Sequence, residues 1–279
     1  MQPYMTFAGL SVARPFVNVL GRQFGFYGIM MMLGLLSAAA VSCLRARKRG
    51  GDPVMVILLA AVVFAGAIVG AWLGYLFTAY EGGIAGVFRD LFAEGKGVVY
   101  VFSRTGLVFY GGLILAMILA LITIRLLKLD FVVYTEALIP TIGLGHALGR
   151  VGCLLAGCCY GIPWDGPLQV VYHAVPDWPQ IPPAHGRFPV QPLESVLDLI
   201  LFGLLCLYTR KRRPRYAVLV AYLLGYAVIR FSDEFLRGDL ERGIHGALSS
   251  SQWISLGMVA VSAVILAVMH ARKGRAADA

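Results

Sequence analysis

The run VMVILLAAVVFAGAIVGAWLGYLFTA, residues 54–79, decides the fold. It contains no Asp, Glu, Lys or Arg, and it is long enough to cross a hydrocarbon core about 30 Å thick, which takes roughly 20 helical residues. Working outward, further apolar blocks lie at roughly 21–43, 107–127, 134–158, 190–209, 216–236 and 252–270. Each reads as a helix, because backbone groups in lipid must be satisfied within their own segment. Only 14% of residues are charged, against about a quarter in soluble domains, which excludes an ordinary soluble fold. The expectation is an all-α membrane protein with about seven transmembrane helices. It forms a single integral-membrane domain over residues 1–279, with periplasmic cap segments near 81–105 and 159–189.

The net charge of +9 is not spread over a nucleic-acid-binding face. Arg45, Arg47, Lys48 and Arg49 follow the first block, Arg125 and Lys128 the third, Arg210 to Arg215 the fifth, and Arg272, Lys273 and Arg275 the last. Under the positive-inside rule these ends face the cytoplasm, which places the N-terminus outside and the C-terminus inside a bacterial inner membrane. The first block is too long for a cleavable signal peptide. Ala40–Cys43 superficially resembles a lipoprotein cleavage box, but the basic run behind Cys43 argues for a cytoplasmic helix end.

Ionisable residues inside apolar runs point to the chemistry. Arg150 interrupts the fourth block, and a charge at membrane depth costs roughly 2.5 to 3.5 kcal/mol even on the lenient insertion scale. Arg230, Asp233, Glu234 and Arg237 cluster at the end of the sixth block, where Arg230 and Glu234 share a helical face. Either this cluster is a structural ion pair, or arginines from two helices clamp a phosphodiester, for which the planar guanidinium is well shaped. Arg187, Gln191 and Glu194 open the fifth block, where Glu194 is either a helix-start carboxylate or part of that site. His146, one turn before Arg150, is a candidate base or an ordinary interhelical bond. Cys153, Cys158 and Cys159 lack the paired-thiol spacing of a zinc site. Tight packing between glycines, an outer-face disulfide, a thiol carrying an acyl or glyceryl group, and a metal site all stay open for them.

At these residues the sequence resembles the prolipoprotein diacylglyceryl transferase family. Phe26-Tyr27-Gly28 and Gly70 through Tyr75 are similar to short family elements, and Tyr110-Gly111-Gly112-Leu113-Ile114 resembles a His-Gly-Gly-Leu-Ile element with Tyr110 in the place of the histidine. The run Gly149-Arg150-Val151-Gly152-Cys153-Leu154-Leu155-Ala156-Gly157-Cys158-Cys159-Tyr160-Gly161 resembles the signature Gly-Arg-x-Gly-Asn-Phe-x-Asn-x-Glu-x-x-Gly. Here Cys153 and Ala156 replace asparagines, and Cys158 replaces the glutamate. Arg187 through Glu194, and Gly225-Tyr226 with Arg230, Glu234, Phe235 and Arg237, are similar to two further elements.

The resemblance implies transfer of the diacylglyceryl group of phosphatidylglycerol to the lipobox cysteine of a prolipoprotein signal peptide at the bilayer. A thioether forms and glycerol phosphate leaves. It implies Arg150, Arg230, Glu234 and Tyr110 as catalytic, with Tyr27, Gly111, Gly112, Gly161, Arg187, Gln191, Glu194 and Arg237 in substrate binding. Cys153, Cys158 and Cys159 form a possible thiol site, and neither cofactor nor metal is called for. Tyr110, with an ordinary pKa of about 10, suits a hydrogen-bond donor better than a base. The alternatives are a paralogue with a changed acceptor that uses its cysteines, or a non-catalytic lipid-binding protein.

Overall fold

A computed structural model describes residues 4–13, 16–19, 22–78, 83–93, 109–173, 185–239 and 243–277. Among them run seven long helices: α1 (Phe26–Lys48), α2 (Pro53–Thr78), α3 (Phe109–Leu126), α4 (Phe131–Ala156), α5 (Val190–Tyr208), α6 (Ala217–Asp233) and α7 (Ser250–Ala277). In five of them, a stretch is long and apolar enough to cross a membrane: Phe26–Lys48, Pro53–Phe77, Phe131–Ala156, Val190–Tyr208 and Ser250–Ala271. Gly111–Leu126 is a shorter apolar helix. Large apolar side chains point outward from these helices, with Val228 66% and Val264 63% exposed. Such surfaces are stable in hydrocarbon and costly in water, so the chain is an all-α membrane protein.

Two compact units emerge, residues 46–134 and residues 1–45 with 135–279. In the first, α2 and α3 approach until backbones touch. A Cβ built on Gly111 would lie 2.2 Å from the Gly70 carbonyl oxygen, and one on Gly112 would lie 2.5 Å from that of Ala67. Small residues at a crossing allow this approach, which is how helices pack where lipid removes the hydrophobic drive between them. Gly111 and Gly112 thus hold α2 against α3. Tyr110 lies in the first turn of α3, and its side chain falls outside the described residues.

The other unit holds α4 to α7 and most of α1, with three small sheets that the helical reading did not anticipate. Strands β1 (Tyr4–Phe7), β2 (Leu10–Ala13), β5 (Val170–Tyr172) and β6 (Gly186–Arg187) form an antiparallel sheet in the order β2-β1-β5-β6, with Met5 opposite Tyr172. Strands β3 (Phe16–Val19) and β4 (Arg22–Gly25) make a hairpin leading into α1, so α1 starts later than the apolar pattern indicated. A two-residue pair, β7 (Ile244–His245) and β8 (Leu248–Ser249), leads into α7. Met5, Leu154, Val170 and Tyr172 form the core beneath the larger sheet.

At one end of this unit, Arg45 ties three helices together. Its Nη2 donates to the Glu136 carbonyl oxygen at 2.7 Å and to Thr209 Oγ1 at 2.6 Å. Glu136 Oε1 in turn accepts from the backbone N–H of Arg213 at 2.6 Å.

Candidate functional site

Helices α4 and α5 run antiparallel, joined by two polar rungs one turn apart. Arg150 Nη2 donates to Glu194 Oε1 at 2.7 Å, and His146 Nδ1 meets Asp198 Oδ2 at 2.7 Å. His146 and Arg150 are separated by four residues, as are Glu194 and Asp198, so each pair presents on one helical face. The helices come close because Gly143 faces Asp198, where a Cβ would lie 2.9 Å from the carbonyl oxygen. Ser195 Oγ adds a bond to the Ala147 carbonyl oxygen at 2.9 Å. Arg150, Glu194 and Asp198 are all buried.

A second guanidinium comes from α6. Arg230 Nη2 donates to Glu234 Oε2 at 2.6 Å and to Ser251 Oγ at 2.8 Å, which ties the end of α6 to the start of α7. Tyr226, one turn earlier, and Asp233 each lie within electrostatic reach of Arg150, Arg230 and Glu194. The two arginines therefore share one neighbourhood. Each keeps a buried N–H without a partner among the described residues, Nε of Arg150 and Nη1 of Arg230. A buried polar group left unpaired costs about 1–3 kcal/mol, and more when charged. A ligand anion is the natural partner for both.

Above the helix ends, residues 160–164 lie between two other segments. Ile162 N donates to the Leu236 carbonyl oxygen at 3.0 Å, Gly238 N to that of Tyr160 at 2.9 Å, Phe188 N to that of Ile162 at 2.9 Å, and Trp164 N to that of Gly186 at 2.9 Å. Gly161 and Gly238 permit this approach. A Cβ on Gly161 would sit 2.3 Å from the Phe188 carbonyl oxygen, and one on Gly238 would sit 2.4 Å from that of Gly161. Arg237 is fixed in this strap by a bidentate pairing with Asp239. Arg187 lies over the Tyr160 ring, its guanidinium carbon 5.0 Å from the centroid.

Gln191 Nε2 donates to the Cys158 carbonyl oxygen at 2.8 Å and to the Tyr172 hydroxyl at 3.0 Å. The Tyr172 hydroxyl donates to the Leu154 carbonyl oxygen at 3.3 Å, and burial pushes its pKa up, which keeps it a donor. Among the residues singled out from the sequence, Gln191, Gly161 and Arg237 thus build the frame around the two arginines.

The cysteines converge because of how α4 ends. Cys158 N donates to the Cys153 carbonyl oxygen at 3.2 Å and Gly157 N to that of Leu154 at 3.3 Å, with Gly157 at φ +74°. This is a Schellman ending, whose geometry brings the residue after the left-handed glycine onto the last turn of the helix. Here those two residues are Cys158 and Cys153. Cys159, itself left-handed at φ +55°, turns back, and the three sulfurs lie within 4.8 Å of one another. Tyr27 at the start of α1 lies within electrostatic reach of all three and of Arg150. His146, Glu194 and Asp198 also bring ligand atoms within 4.8 Å of one another. In that group, however, Arg150 already holds Glu194, and His146 is paired with Asp198.

Several participants were absent from the sequence expectation. Asp198 carried a signal, an acidic residue four positions after Glu194 inside an apolar run, whereas Ser195, Ser251 and Tyr172 are too common as residue types to stand out. His146, read as a candidate base or an interhelical bond, bonds Asp198 through Nδ1 and meets the Tyr226 ring edge-on at 5.3 Å between centroids.

A family model described as prolipoprotein diacylglyceryl transferase matches residues 15–268. A phosphatidylglycerol–prolipoprotein diacylglyceryl transferase of Clostridium tetani is 31% identical over 258 residues, covering 92% of this chain and 97% of the relative. A second such transferase, of Clostridium perfringens, is 29% identical over 262 residues, covering 92% and 96%. A transferase of the same name from Methylococcus capsulatus is 29% identical over 276 residues, covering 93% and 98%.

Proposed function

Because the chain belongs to the prolipoprotein diacylglyceryl transferase family, we infer that it moves the diacylglyceryl group of phosphatidylglycerol onto the cysteine thiol of a prolipoprotein. The observation that carries this reading to particular residues is the pair of buried guanidiniums from α4 and α6, each anchored by one carboxylate and each with an N–H to spare.

In this reading, Arg150 Nε and Arg230 Nη1 hold the phosphodiester of the donor lipid. As the carbon–oxygen bond to the glyceryl carbon breaks, negative charge grows on the phosphate, and cations already in position stabilise it without reorganising. Glu194 and Glu234 aim the two guanidiniums. Tyr27 and Arg187 line the approach of the headgroup and the signal peptide, and Arg237 supports the strap above them. All seven long helices cross a bacterial inner membrane, with the basic helix ends cytoplasmic and the N-terminus outside.

The test is phosphatidylglycerol-dependent modification of a lipobox peptide by the purified chain, followed as a mass increment on the peptide cysteine. Transfer by the unaltered chain that is lost in both Arg150→Ala and Arg230→Ala is the expected result. Full transfer by either variant would remove the arginine clamp from the mechanism.

A further inference from the structure

We propose that Cys153, Cys158 and Cys159 form a three-sulfur site for a thiophilic divalent cation of the zinc class, with a fourth coordination position that receives the thiol of the acceptor cysteine. This deepens, and rests on, the transferase reading above.

Geometry comes first. Metal–sulfur bonds of about 2.3 Å at tetrahedral angles hold sulfurs roughly 3.8 Å apart. The three sulfurs already lie within 4.8 Å of one another, so small side-chain rotations close the set. Their sequence spacing hides this, because the Schellman ending at Gly157 and the left-handed Cys159 fold the chain back on itself. Cys153 is buried, whereas Cys158 and Cys159 are half-buried, so the cluster has an inner wall and an accessible side. Softness and donor count both favour a thiolate-binding cation.

Electrostatics agrees. Three thiolates and a divalent cation carry one net negative charge, and the incoming thiolate adds another. Arg150 and Arg237 lie within electrostatic reach of Cys159, and Arg150 also of Cys153.

The chemistry is served by such a group. An ordinary thiol has a pKa of about 8.5 and must lose its proton to attack. Glu194 is engaged by Arg150 and Glu234 by Arg230. Coordination releases the acceptor's proton to water, since a metal-bound thiol is deprotonated outright. The bound sulfur's lone pair then attacks the glyceryl carbon. The carbon–oxygen bond breaks, its electron pair stays on the phosphate held by the arginines, and glycerol phosphate leaves. The resulting thioether is uncharged and a weaker ligand, so it departs and reopens the fourth position.

The test uses the full chain in phosphatidylglycerol nanodiscs, reduced, stripped by chelator and titrated anaerobically with Co²⁺ as the spectroscopic probe. One equivalent per chain is expected, with a thiolate-to-cobalt charge-transfer band and intense tetrahedral visible bands. Both vanish in Cys158→Ser and Cys159→Ser and persist in Cys43→Ser. On the unaltered chain, which removes any question of variant folding, the metal should shield Cys153, Cys158 and Cys159 from alkylation until chelator is added. A lipobox peptide should shift the visible bands, and its serine analogue should not. Substoichiometric uptake, bands that survive in both serine variants, absent shielding or a spectrum indifferent to the peptide would each overturn the site. Transfer undiminished in chelated protein would also overturn it and leave the transferase reading intact. A peptide-dependent shift without any transfer would leave the site standing and refute the transferase reading instead.

Discussion

Replacing Arg150 by lysine separates the two tasks that the proposed mechanism gives this residue. Its Nη2 neutralises Glu194 at 2.7 Å, while its buried Nε has no partner among the described residues. Lysine keeps the charge beside Glu194 but has no second donor in the guanidinium plane. Stability should therefore change little, whereas the transition state loses one charge-assisted hydrogen bond. Such a bond contributes about 1.5–3 kcal/mol, which at about 1.36 kcal/mol per decade lowers the transfer rate roughly tenfold to 150-fold. Arg150→Ala should behave differently, because it leaves the Glu194 carboxylate buried and uncompensated, a loss of about 3–5 kcal/mol in stability. The assay pairs the initial rate of peptide modification with thermal unfolding in nanodiscs. A lysine variant as active as the parent, or as unstable as the alanine variant, would refute the division of labour.

Three further outcomes follow from named contacts. His146→Ala should lower stability by about 1–3 kcal/mol by stranding the Asp198 carboxylate, and adding Asp198→Asn should recover part of that loss; strictly additive losses in the double-mutant cycle would show that the two do not interact. Gly111→Ala places a methyl 2.2 Å from the Gly70 carbonyl oxygen, and thermal unfolding should register an overpacking cost of about 1–3 kcal/mol. Gly161→Ala should speed hydrogen exchange at the Ile162 and Phe188 amides, which lie in the strap it would prise apart, and unchanged protection there would count against the close approach.

The helices were legible where chemistry was monotonous. Residues 54–79 read correctly against Pro53–Thr78 because an unbroken apolar run has few alternatives in lipid. The start of α1 was not, because the strands Phe16–Val19 and Arg22–Gly25 are too short for their alternation to stand out from the apolar run that follows. The arginines and Glu194 were legible as charges in apolar surroundings, yet the pairing of Arg150 with Glu194 rather than with Glu234 is a fact of helix packing. Arg45 announced topology, while its bonds to Glu136 and Thr209 depend on residues far away in sequence. The cysteines were legible as a group but their mutual approach was not, because a spacing of five is poor on a continuous helix and becomes close contact once Gly157 takes the left-handed conformation.

The strap at residues 160–164 bears on how this protein tolerates change. It joins the ends of α4, α5 and α6 through main-chain hydrogen bonds, and the glycines at 161, 186 and 238 are places where a side chain would obstruct it. A frame built from backbone is indifferent to most of the side chains it carries. Side chains within the strap can therefore change while the main-chain bonds that join the three helix ends stay in place.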